Sequence, residues 1–180
     1  MARFGGICRN DQGEILKVFF GYLGHDTNNS AELEGLIQGL TLVTQEGWLP
    51  AILEGDSTVI IQMAKKLACG QAPGKVSFYW RLCLRLEVLQ SLLSLTSAVS
   101  FSHVRRDANK VVDLLANQGI KSDSPFLSGS LEDFGQDRWM DRCQDLALTD
   151  LHQAEPMVDE NVGPQEHGRL HEDQTQRTSS

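Results

Sequence analysis

Three carboxylates stand where folding could gather them: Glu32 in "NNSAELEGLIQGL" (Asn28–Leu40), Asp56 in "ILEGDSTVII" (Ile52–Ile61) and Asp113 in "DANKVVDLLANQGI" (Asp107–Ile120). Clustered carboxylates offer hard oxygen ligands, and Mg²⁺ needs only a few of them because it keeps several waters. Each acid alone has an ordinary explanation. Glu32 reads as a first-turn acid favoured by the helix macrodipole, behind Ser30 as N-cap. Asp56 reads as a turn residue, and Asp113 as an acid near the start of a helix, four residues after Asn109. The joint pattern is what points to a shared metal site.

The elements that must position these acids follow from periodicity. Phe4–Arg9 ("FGGICR") reads as a short strand weakened by its two glycines. "NDQG" (Asn10–Gly13) is turn chemistry, and Glu14–Gly24 is a second strand, so the two form an antiparallel hairpin. Leu33, Leu36, Ile37, Leu40 and Val43 recur at helical spacing, and their helix ends near Gly47. Pro50–Ser57 reads as a strand that breaks at Gly55-Asp56-Ser57, which places Asp56 at a strand's C-terminal end, where α/β folds hold their chemistry. Val59, Ile60, Met63 and Leu67 support a second helix. After the loop Cys69–Lys75, a long helix runs from about Ser77 to Ser94 on Leu82, Leu86, Leu89 and Leu93. Ala98–Val104 alternates as a strand, and Asp107–Ile120 is a last helix with Gly119 as its C-cap. The order is β-β-α-β-α-α-β-α, a mixed α/β layer fold.

Charge divides the chain. The net charge is −8, yet residues 1–120 hold 11 basic and 11 acidic residues, while residues 121–180 hold 5 and 13. An acidic tail repels a phosphate backbone, whereas the neutral first part carries local basic spots. In the tail, "SDSPFLSGS" reads as loop, "EDFGQDRWMDRCQDLALTDL" as one short amphipathic helix, and residues 152–180 as disordered. Cys8, Cys69, Cys83 and Cys143 are far apart with no CxxC pair, which argues against zinc and suits a reducing compartment. No signal peptide or long apolar run is found, so an intracellular, soluble protein is expected, with nucleus and cytoplasm not distinguished.

Taken with "GGICRNDQGEIL" and "FSHVRRDANKVVDLLANQGI", the three acidic stretches resemble the ribonuclease H-like superfamily. The particular resemblance is to the reverse-transcriptase-associated RNase H-type domain of plant retroelements, over residues 4–120. It implies an α/β fold with a mixed sheet flanked by helices, a domain over residues 1–120 and a tail over 121–180. It also implies a nucleic-acid-binding domain, expected to be monomeric, acting on RNA–DNA hybrid, with Mg²⁺-dependent endonucleolytic hydrolysis of the RNA strand. In such two-metal hydrolases a carboxylate cluster holds two Mg²⁺ ions (Mn²⁺ as the alternative) about 3.5–4 Å apart astride the scissile phosphate. Carried over by motif, Glu32, Asp56 and Asp113 are the catalytic and metal-binding residues.

One departure bears on activity. The family places a further Asp on a strand preceding the "FGG" hairpin, in the middle of the sheet, and this sequence begins at Met1 just before the hairpin. A domain shortened at its N-terminus is therefore expected, and as written a poor catalyst. The alternative is a non-catalytic remnant that binds nucleic acid or a protein.

Other residues divide between binding and packing. The resemblance makes Asn28 and Asn29 minor-groove contacts, where 2′-hydroxyls tell RNA from DNA. Arg105, Arg106, Asn109 and Lys110 form a polar, basic group suited to phosphate contact without sequence choice. His103 alternates with Phe101 and reads as a packed or edge histidine. Phe78, Tyr79 and Trp80 read as core, and Trp139 and Met140 as part of a docked helix or an interaction motif.

Overall fold

The structure is a computed structural model; it describes residues 1–76, 80–96, 98–119, 125–134, 142–143 and 145–146. The expected helix around Trp139 and Met140 and the tail beyond residue 150 lie outside them.

Strands β1 (Ala2–Arg9) and β2 (Ile15–Gly24) form the expected hairpin. Its turn is held by Asn10, whose Oδ1 accepts from the backbone N–H groups of Gln12 and Glu14. Gly13 sits at φ 83°, a conformation that a side chain would oppose. The two glycines of β1 serve packing. A Cβ on Gly5 would lie 2.7 Å from the Ala116 backbone nitrogen, and one on Gly6 would lie 2.1 Å from the Phe19 ring. Each glycine thus admits a close neighbour on one face of the strand, a helix backbone on one side and an aromatic ring on the other.

Helix α1 (Asn28–Gln45) buries Leu33, Leu36, Ile37 and Leu40. Its N-cap is Thr27, whose side chain accepts from the Ser30 N–H, and not Ser30 as the sequence suggests. Ser30 lies inside the helix, fully buried, with its hydroxyl 2.9 Å from that of Thr27. The helix therefore starts earlier than expected, and Glu32 falls in its second turn. The macrodipole explanation for Glu32 weakens accordingly, because that effect fades beyond the first turn.

Strand β3 (Ala51–Gly55) pairs in parallel with β4 (Val99–His103). Between them run α2 (Thr58–Ala68), the short α3 (Pro73–Val76) inside the expected loop, and α4 (Trp80–Leu95). In α2 the buried stripe is Ile60, Ile61, Ala64 and Leu67, whereas Val59 is exposed. Trp80, expected in the core, is 72% exposed, with the Arg81 guanidinium 5.2 Å from its ring. It begins α4 on the side away from Leu82, Leu86 and Leu89, which carry the packing. After a 3-10 turn at Arg106–Ala108, α5 (Lys110–Gly119) packs on β1 and β2.

"SDSPFLSGS" also differs from expectation. Its Phe126–Gly129 forms strand β5, antiparallel to β2, followed by a 3-10 turn at Leu131–Phe134. Apolar alternation is too short there to be read from sequence, and the open edge of β2 supplies the pairing.

Among the described residues the strands make two separate sheets, β1-β2-β5 and β3-β4. Helix α1 packs on both, with Phe4, Phe19 and Ala31 in one core cluster and Leu36, Leu53, Ile61 and Phe101 in another. An ion pair from Arg9 Nη2 to Glu54 Oε2, 2.6 Å, also links them. No helix among the described residues is long and apolar enough to cross a membrane.

Candidate carboxylate cleft

Between the two sheets opens a cavity of about 580 Å³. Gly5, Gly35, Leu36 and Leu53 line it, as do Glu32, Asp56 and Asp113 together with Asn28, Asn29, Arg106 and Asn109. Three unrelated local features deliver the acids. Helix α1 carries Glu32 in its second turn. The break after β3 carries Asp56, followed by Ser57 as N-cap of α2, accepting from the Ile60 N–H at 3.4 Å. Asp113 follows the 3-10 turn, its N–H donating to the Asn109 carbonyl at 3.2 Å.

Electrostatics in the cleft are uneven. Burial, then repulsion from Asp56 and Asp113, pushes the Glu32 carboxyl up to about 7; Arg106 opposes this, and a hydrogen bond with the Asp56 side chain supports it. A carboxyl that still holds its proton near neutrality can donate to the neighbouring carboxylate. Asp113 is exposed and faces Arg106, with 3.9 Å from Nε to Oδ2. Asn28 and Asn29 are exposed at the mouth, and Arg105 and Lys110 are exposed but do not line the cavity.

The donors' chemistry suits a hard divalent cation. Among the described residues, however, no group of three or more His, Cys, Asp or Glu is already placed to hold one. Glu32 and Asp56 line the cleft together, and Asp113 lines it as an exposed residue.

Two residues gain roles that the sequence did not disclose. His103 is tethered through Nε2 to Thr58 Oγ1 at 3.0 Å and to the Asp56 carbonyl at 3.2 Å, so it braces the loop that carries Asp56. Arg85 of α4 reaches α1 and the loop before it, meeting Glu34 at 3.0 Å and Asp26 at 3.2 Å. Asp11 and Asp26 do not line the cleft. The alternation of "FSHV" was the signal for a packed histidine, but its partner Thr58 is 45 positions away.

A mixed α/β domain of this order, with its carboxylates in a cleft at the end of β3, is of the ribonuclease H-like class. Residues 1–119 match the reverse transcriptase-like family, and the chain belongs to it. Among solved structures it is similar to RNase H1 from the halophilic archaeon Halobacterium salinarum NRC-1, with 26% identity and a TM-score of 0.56. That similarity covers 66% of this chain and 85% of the other. Comparison with curated proteins gave no match.

Proposed function

We propose that this domain binds RNA–DNA hybrid at the mouth of the cleft and, with a divalent cation, hydrolyses its RNA strand. The reading rests on one observation above all: Glu32, Asp56 and Asp113 line one cleft, where burial and the two neighbouring acids raise the Glu32 carboxyl. Placing unlike charge beside them offsets the burial and repulsion that raise the Glu32 carboxyl, so cation entry and loss of its proton are coupled. Glu32 and Asp56 would hold Mg²⁺ (or Mn²⁺), with Asp113 completing the set from the exposed side. A bound ion of this kind activates water and stabilises the leaving oxygen of a phosphodiester.

The chain's own groups bind and orient the duplex. Asn28 and Asn29, exposed ahead of Glu32, offer amide donors and acceptors to sugar and base edges. Arg105, Arg106, Asn109 and Lys110 supply phosphate contacts, which give affinity without sequence choice. Such contacts make binding weaken as salt rises.

A second reading, a binding module without catalysis, is favoured by the absence, among the described residues, of three acids already placed around one ion. A labelled RNA–DNA hybrid incubated with the full chain separates the two. Cleavage that needs Mg²⁺ and disappears in Asp56→Asn supports hydrolysis. Retention of hybrid without cleavage supports the binding module. Failure to retain hybrid at low salt would refute both.

A further inference from the structure

Asp56 stands at a joint in the chain. Strand β3 ends at Gly55 and α2 begins at Thr58, so the backbone of Asp56 belongs to neither element. Glu32 and Asp113 are carried by the helices they stand on, whereas the direction of Asp56 depends on what fixes its turn.

Two consecutive residues at the end of β4 supply that fixing. In the parallel pair His103 stands opposite Gly55, and one residue further on the Val104 N–H donates to the Gly55 carbonyl at 3.0 Å. This carbonyl belongs to the peptide group that precedes the Asp56 Cα. The peptide group that follows it is met by the half-buried His103 ring. Its Nε2 lies 3.2 Å from the Asp56 carbonyl oxygen and 3.0 Å from Thr58 Oγ1. Peptide groups are planar, so a residue with both flanking planes held has little freedom left in φ or ψ. The direction of Cβ follows from those angles, and the side-chain rotamers open to the residue depend on them. From this position Asp56 lines the cleft with Glu32.

The ring proton can be placed by chemistry. A carbonyl oxygen only accepts, so the contact with Asp56 is a hydrogen bond when Nε2 carries a hydrogen. Thr58 Oγ1, which accepts as well as donates, then shares that hydrogen. With the proton on Nδ1 alone, Nε2 would accept from Thr58 and set its lone pair against the Asp56 carbonyl. The two distances together fit the ring with Nε2–H.

We propose that His103 is a positioning residue, whose Nε2–H fixes the turn between β3 and α2 and thereby the direction in which Asp56 presents its carboxylate to the cleft. The ring acts through Asp56 and not on a reacting atom. Its consequence for hydrolysis rests on the function proposed above, in which Asp56 is a ligand of the cation. Groups that orient a metal ligand typically change affinity or activity by about 10–100-fold when they are removed.

The first measurements need neither metal nor nucleic acid. In the full chain in EDTA, ¹⁵N shifts of the His103 ring should show a proton on Nε2. Three-bond couplings about χ1 of Asp56 should report a single rotamer. His103→Phe keeps a ring and loses the donor; it should average the Asp56 couplings and leave those of Asp113 unchanged. His103→Gln places an amide nitrogen as many bonds from Cα as Nε2, and should restore the single rotamer. In cleavage of RNA–DNA hybrid, the Mg²⁺ concentration giving half-maximal rate should rise about 10–100-fold in His103→Phe and return towards the natural value in His103→Gln.

A ring without a proton on Nε2 overturns the proposal, and that measurement is made on the natural chain, so it stands even if a variant does not fold. An Asp56 rotamer unmoved in His103→Phe overturns it too. So does a lost rotamer that His103→Gln fails to restore, because the ring would then act by packing alone. An unchanged Mg²⁺ requirement in an active His103→Phe protein would also overturn it. If the natural chain neither binds Mg²⁺ nor cleaves hybrid, the proposed hydrolysis fails, and the proton and rotamer measurements still decide the role of His103.

Discussion

Replacing Glu32 by Gln should make the protein more stable at alkaline pH and leave it unchanged at acid pH. Burial and the neighbouring Asp56 and Asp113 raise this carboxyl from 4.5 to about 7. Each pH unit of such a displacement corresponds to about 1.4 kcal/mol, so the ionised group opposes folding by at most about 3.5 kcal/mol. Glu32 is only half-buried, and solvent screening reduces the figure to about 1–2 kcal/mol. Its sign is set by proton binding. Below 4.5 the group is protonated in both folded and unfolded chains, and there is no penalty. Between 4.5 and about 7 the folded chain holds a proton that the unfolded chain has released, so stability falls as pH rises. Above that range the whole penalty applies.

The assay is thermal unfolding of both proteins in EDTA, followed by circular dichroism at about pH 5 and about pH 8.5. Other titrating groups are common to the two proteins and cancel in the comparison. Glu32→Gln should melt about 3–8 °C higher at the alkaline pH, with the gap closing to less than about 2 °C at the acid one. Adding Mg²⁺ at alkaline pH should raise the natural protein and narrow the gap, because a ligand of the folded state stabilises it. A variant less stable than the natural protein at alkaline pH, or a gap equal at both, would refute the electrostatic account of the cleft.

Three further outcomes follow from particular contacts. Asp56→Asn removes the larger of the two charges that repel Glu32, so its carboxyl should titrate lower by ¹³C NMR while burial keeps it above the ordinary range; an unmoved titration would assign the whole effect to burial. Gly6→Ala should cost about 1–3 kcal/mol in urea unfolding, because the methyl meets the Phe19 ring at 2.1 Å. Gly35→Ala has no neighbour nearer than 3.6 Å and should gain about 0.5–1 kcal/mol from helix propensity, so equal effects at the two positions would contradict the packing. Arg85→Ala leaves Glu34 and Asp26 without their shared partner and should lower stability by about 1–2 kcal/mol, much less when Glu34→Gln is already present.

The local elements were determined by the sequence through short-range rules. Asn10 and Gly13 specify the hairpin turn, Gly55-Asp56-Ser57 stops β3, and the spacing of Leu33, Leu36, Ile37 and Leu40 makes α1 one-sided. The candidate acids were legible because each lies beside such a signal. Tertiary structure decided what those rules do not reach. The start of α1 moved to Asn28 because the Thr27 hydroxyl, and not Ser30, accepts the capping bond. Strand β5 exists because β2 offers an edge to a segment with little strand pattern of its own. Trp80 is exposed because helix phase gives the packing face to Leu82 and Leu86. The raised carboxyl of Glu32 arises first from burial and then from Asp56 and Asp113, brought near by folding from 24 and 81 positions away. Charge, burial and edge pairing depend on neighbours in space, and a single line of sequence names those neighbours only after the chain has folded.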